Sequence, residues 1–209
     1  MSWLARILPY VEQNALWAQT DRAFPKDRVA FHNPPHVGLD TVITLYICPS
    51  DGRIATAQTS FGYHVAFTSY LGNLGENYRD EGGVLFRDSH VRLTEVSDGT
   101  SNTLLITEDA GRPNVFRASG TTNGRFSGGG WADRDNEFIT HGFTADGKTN
   151  PGPCAVNCTN DNEIYAFHTG GANIVFGDGS VHFLSSSVDI RIVAALITRA
   201  GGEVVPGDF

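Results

Sequence analysis

The chain has 209 residues, 40% of them hydrophobic, enough to close one ordinary core over residues 1–209 and too many for a disordered chain. A formal net charge of −8, with 15 Lys and Arg against 23 Asp and Glu, leaves no broad basic footprint for a nucleic-acid partner. No apolar run approaches the roughly 18 residues of a membrane span, and 24 Gly with 9 Pro indicate a loop-rich domain.

Leu4, Ile7, Leu8, Val11 and Leu16 recur at helical spacing and predict a helix over 3–18, with Pro9 as a kink or as the first position of a shorter helix. Residues 21–40, with Pro25, Pro34 and Pro35, read as extended loop. Residues 41–47 are β-branched and aromatic and predict a strand, ended by the turn Cys48-Pro-Ser-Asp-Gly52. Residues 65–71 and 104–107 read as buried strands, with a dense turn signal over 98–102. Residues 118–159 hold much of the glycine and little aliphatic periodicity, which marks them as the candidate functional surface. Residues 172–184 read as a hairpin turning at Gly177-Asp178-Gly179, because Asp-Gly accepts the positive φ of a tight turn. A closing helix follows, with Ser187 as N-cap, Asp189 in the first turn, Ile192, Val193, Leu196 and Ile197 on one face, and Gly201-Gly202 as C-cap. Strands separated by long loops between two helices predict an α+β fold with an antiparallel sheet.

Several side-chain groups can carry chemistry. Asp133, Asp135, Asn136 and Glu137 place oxygens at alternating positions of one short loop, which suits a hard cation such as Ca2+; Asp133, Asp135 and Glu137 are the candidate ligands. Trp131, Phe138, Phe143 and Tyr165, interleaved with Asn, Asp and Gly, suit a carbohydrate or other small solute, whose ring would stack on an aromatic face, and equally suit a loop anchored by its aromatics. For zinc, only His168 and His182 among the seven His flank one hairpin, and His182 reads as a half-exposed strand residue. Nothing resembles a Gly-x-Ser-x-Gly nucleophile; Ser180 reads as a turn cap and Cys48 as a buried structural thiol. Cys154 and Cys158, separated by three residues, are read as a loop-stapling disulfide rather than half a metal site; three cysteines permit three pairings, so Cys48 is either the free thiol or a competitor for a partner. His168 is assigned a structural role, bonding backbone groups or the Asp178 carboxylate.

His168-Thr-Gly-Gly-Ala-Asn-Ile-Val-Phe-Gly-Asp178-Gly179 is a histidine, nine residues, then Asp-Gly. With Cys48-Pro-Ser-Asp51, Ser69-Tyr-Leu-Gly-Asn73 and Asp98-Gly-Thr-Ser-Asn-Thr103, in that order along the chain, it resembles the prepilin-type processing-associated domain abundant in planctomycetes, also called domain of unknown function 1559 or a solute-binding family. That family is similar to type IV pilins and type II secretion pseudopilins, in which an apolar helix anchors a β-rich head. The resemblance implies a pilin-like head in an extracytoplasmic compartment, non-catalytic and structural or surface-displayed, with pilin-like subunits as partners of the full-length form. It implies too that this chain starts where the head starts, without the apolar spine helix. The alternative is a surface module binding a glycan or solute through residues 131–143.

Overall fold

The computed structural model describes residues 1–32, 35–52, 56–58, 64–75, 82–120, 122–125 and 129–205. Its first segment is two α-helices joined by a 3-10 turn instead of one helix: α1 (Trp3–Arg6), the turn (Leu8–Val11) and α2 (Asn14–Ala23). Pro9 causes the break, since it lacks an N–H and starts the 3-10 turn, and Glu12 ends that turn at φ 61. Ser2 caps α1 by accepting from the Ala5 N–H at 3.0 Å.

The strand expected over 41–47 is a 3-10 turn at Thr44–Tyr46. Ile43 and Tyr46 are buried while Val42 and Leu45 are exposed, the three-residue spacing of a helical turn and not the alternation of a strand. The segment expected as one strand over 65–71 is two. β2 (His64–Ala66) pairs with β1 (Thr56–Gln58), and β3 (Tyr70–Gly75) joins the main sheet. Thr68 makes the break: its hydroxyl accepts from the Tyr70 N–H and donates to the Tyr46 carbonyl, both at 3.1 Å.

β4 (Leu104–Glu108), β5 (Asn114–Val115), β6 (Thr122–Arg125), β7 (Glu137–Ile139), β8 (Gly171–Phe176) and β9 (Val181–Ser185) follow, then α3 (Ile190–Ile197). The main sheet has the order β7-β3-β4-β8-β9 and is antiparallel except for the parallel pair β3–β7, so the fold is α+β with a mixed sheet. In the β8–β9 hairpin Val175 faces Val181, Gly179 sits at φ 86, and the Asp178 carboxylate accepts from the Ser180 N–H and hydroxyl at 2.8 and 2.7 Å.

At α3 the capping residue is Asp189, which accepts from the Arg191 N–H at 2.9 Å, and not Ser187. The helix ends at Thr198, before the glycine pair. The N–H groups of Gly201 and Gly202 instead donate to the Asp98 carboxylate at 2.7 and 3.0 Å, tying the chain end to the turn before β4.

Two apolar clusters result. One packs α3, through Val193, Leu196 and Ile197, on the sheet residues Leu71, Leu104, Ile174 and Phe176. The other gathers Leu4, Leu8, Leu16, Ile43 and Tyr46 around Trp131. Asn73, wholly buried on β3, donates its amide to the carbonyls of Leu104 and Ile197 at 2.6 and 2.7 Å, which joins β3, β4 and the end of α3.

Candidate functional site

Of the residues expected to stack on a sugar, Trp131, Phe138 and Phe143 point inward, while Tyr165 is half-buried against Phe116 and Phe167. Trp131 is 1% exposed and Phe143 4%, and Phe138 lies in the sheet core. The Trp131 indole donates to the Thr41 carbonyl at 3.1 Å, an anchor for the N-terminal cluster. Their faces are covered by protein, so residues 131–143 present no aromatic platform; apolar burial outweighed the exposure that stacking requires.

The acidic run is also engaged internally. Asp133 accepts from the Asp135 N–H at 3.0 Å, Asp135 pairs with the Arg87 guanidinium, Glu137 accepts from the Arg87 N–H at 3.0 Å, and the Asn136 amide donates to the Gly130 carbonyl. Arg87 thus supplies the positive charge that Ca2+ was expected to bring, and Asp133, Asp135 and Glu137 do not converge on one point. His182 lies opposite Ile174 with its ring edge-on to Phe176 at 5.0 Å, away from His168. His168 and Asp178 lie at opposite ends of β8, so the expected bond between them is replaced by Asp178–Ser180.

His168 has other partners. The turn at residues 48–51 closes through the Asp51 N–H donating to the Cys48 carbonyl at 2.8 Å. The buried Asp51 carboxylate holds it in place, accepting from the Ser69 hydroxyl at 2.9 Å and the Gly111 N–H at 3.2 Å. Glu108, the last residue of β4, accepts from the Asn173 N–H of β8 at 2.7 Å. Gly170, at φ 86, lets the chain turn from His168 into β8. Three sequence-distant segments therefore meet at one imidazole. His168 Nε2 lies 3.4 Å from Cys48 Sγ, 3.0 Å from Glu108 Oε1 and 3.2 Å from Asn173 Nδ2, while Nδ1 faces Ser50 Oγ at 3.3 Å.

Cys48 and Glu108 are each 1% exposed, and the His168 side chain is 27% exposed. Burial, with the Glu108 carboxylate adding to it, pushes the Cys48 thiol up to about 11, so at neutral pH it is a protonated thiol. A nucleophilic triad needs the acid on one imidazole nitrogen and the nucleophile on the other. Here Cys48 and Glu108 address the same nitrogen. Among the described residues, this is the one trio of His, Cys, Asp or Glu whose ligand atoms all lie within 4.8 Å of one another.

Cys48 and His168 stand in motifs visible in the sequence, whereas Glu108 belongs to none of them. A carboxylate directly after Leu104-Leu-Ile-Thr107, where burial is the norm, was the available signal. Elsewhere, Cys154 and Cys158 are bonded, with Cα atoms 6.2 Å apart, and Cys48 is free. The pair agrees with an oxidising compartment. No described helix is long and apolar enough to cross a membrane.

The fold and site define an α+β domain with a disulfide-closed loop and a buried Cys–Glu–His cluster where three segments converge. The family model SBP_bac_10, described as a protein of unknown function (DUF1559), matches residues 1–191, and the chain belongs to this family. No curated protein and no solved structure matches the chain.

Proposed function

We propose that residues 1–209 form a single pilin-like head domain of an extracytoplasmic subunit, non-catalytic, with a structural or surface-display role. The observation that carries this reading is the docking of the N-terminal helical segment on the sheet domain. Ser2 Oγ donates to the Trp131 carbonyl at 2.7 Å, Trp3 Nε1 to the Asn136 carbonyl at 3.1 Å, and Tyr46 Oη to the Leu4 carbonyl at 2.8 Å. Those backbone acceptors and a shared apolar cluster fix the helical segment to the head, which suits a structural role. The Cys154–Cys158 bond supports the compartment, and a protonated Cys48 sharing one imidazole nitrogen with Glu108 supports the absence of nucleophilic catalysis. The glycan-binding alternative has no comparable support, since Trp131 and Phe143 are covered.

The test uses the native gene product in its own cells, by protease shaving of intact cells and chemical cross-linking before lysis. The head is expected in the shaved fraction, with Cys154 bonded to Cys158, and as cross-linked multiples. Protection until lysis, with both cysteines labelled as thiols, refutes the location; a monomer alone after cross-linking refutes the assembly role.

A further inference from the structure

Cys48, Glu108 and His168 converge at hydrogen-bond distance on one imidazole nitrogen. One imidazole nitrogen faces a thiol, a carboxylate oxygen and an amide nitrogen at 3.4, 3.0 and 3.2 Å. A single Nε2–H or Nε2 lone pair cannot satisfy all three at once. A cation between Nε2, Sγ and Oε1 engages the sulfur and the carboxylate together and leaves the Asn173 amide to another acceptor. Ligand atoms about 2.0–2.3 Å from a tetrahedral Zn2+ lie about 3.3–3.7 Å from each other, and the pairs at 3.4 and 3.0 Å approach that spacing before any adjustment.

We propose that Cys48 Sγ, Glu108 Oε1 and His168 Nε2 form a binding site for a divalent transition metal, Zn2+ by its ligand chemistry. A thiolate beside an imidazole excludes the hard cations Ca2+ and Mg2+, and the carboxylate favours a divalent ion over Cu(I). On binding, the Cys48 S–H bond breaks, its proton leaves to solvent and a sulfur–metal bond forms, with no redox change. A thiolate, a carboxylate and a neutral imidazole then carry two negative charges against the two positive charges of the ion, so a buried charge is paired.

Two surrounding contacts suit such a site, while the Asn173 side-chain amide, 3.2 Å from Nε2, has to turn aside. Ser50 Oγ, 3.3 Å from Nδ1, can accept the Nδ1–H and so leave Nε2 free to ligate, and the Asn173 N–H fixes the other Glu108 oxygen at 2.7 Å. Two ligands are buried and the third is 27% exposed, which leaves the imidazole edge as the entry path. This inference is independent of the proposed assembly role, because it concerns only the interior of the head.

The test is titration of the disulfide-intact chain, stripped with a chelator that is then removed, with Co2+ followed by Zn2+. Cys48 is the one free thiol, so a thiolate-to-cobalt charge-transfer band has a single source. The band is expected to saturate at one equivalent of Co2+ and to vanish when Zn2+ displaces it. Cys48→Ser is expected to abolish the band, and Ser50→Ala, at an exposed position, to weaken binding about 10–100-fold without unfolding. His168→Gln should weaken it more, and His182→Ala should not change it. Should Cys48→Ser or Glu108→Gln fail to fold by circular dichroism, folded Ser50→Ala and His168→Gln decide. Absence of the band in the folded wild-type chain, or wild-type Co2+ affinity in both of those variants, overturns the proposal.

Discussion

Asn73 offers the most direct check on how the sheet and the closing helix are joined. Its side chain is wholly buried, and its amide is the donor to the Leu104 carbonyl of β4 and to the Ile197 carbonyl at the last turn of α3. The second acceptor is one of the carbonyls every helix leaves unpaired at its end. Asn73→Ala removes the donor from both. Leaving a buried acceptor unpaired costs about 1–3 kcal/mol, so with two acceptors the variant should lose about 2–6 kcal/mol, a large share of the roughly 5–15 kcal/mol that holds a domain folded. Asn73→Asp conserves shape but turns a carboxylate toward two carbonyl oxygens, and should lose at least as much at pH 7. On acidification the new carboxyl group is protonated and regains one donor, so the deficit should shrink at pH 5. Urea denaturation followed by circular dichroism at both pH values measures this. An Asn73→Asp variant as stable as wild type at pH 7 would refute the reasoning.

Other expectations follow from single features. Gly179 has φ 86 with open space where a Cβ would stand, so Gly179→Ala should cost only the conformational penalty of about 1 kcal/mol. Gly147, at φ 70, would drive a Cβ into the Cys158 carbonyl oxygen, so Gly147→Ala should lose more; equal melting temperatures for the two variants would contradict this. Reduction of the Cys154–Cys158 bond, which spans only 4 positions, should lower stability by about 2 kcal/mol, read as the shift in urea midpoint with and without reductant and checked by mass spectrometry of a non-reduced digest. Burial pushes Glu137 up to about 7 and Asp133 to about 6, and the hydrogen bond to Glu163 raises His141. Groups raised by folding stabilise below their unfolded values and lose that contribution as pH rises through the folded ones, so the urea midpoint should fall between pH 5 and pH 8. Glu137→Gln should flatten that slope, and an unchanged slope would count against the assignment.

What the sequence determined by itself is local or nearly so. The hairpin at Gly177-Asp178-Gly179 and the apolar face of α3 were readable because turn chemistry and 3.6-residue periodicity act within a few residues. The pairing of Cys154 with Cys158 was equally legible, since so short a loop brings its ends together. Tertiary structure decided where neighbours outvoted propensity. Residues 41–47 have strand composition, yet the Tyr46 carbonyl is taken by Thr68 and Ser69, so a turn forms in place of a ladder. Residues 131–143 have the composition of a sugar or cation site, but the apolar clusters claimed the rings and Arg87 claimed the carboxylates. The Cys48–Glu108–His168 cluster could not be read from spacing, because its members lie 60 positions apart in each step; only the register of β4 against β8 brings Glu108 beneath His168.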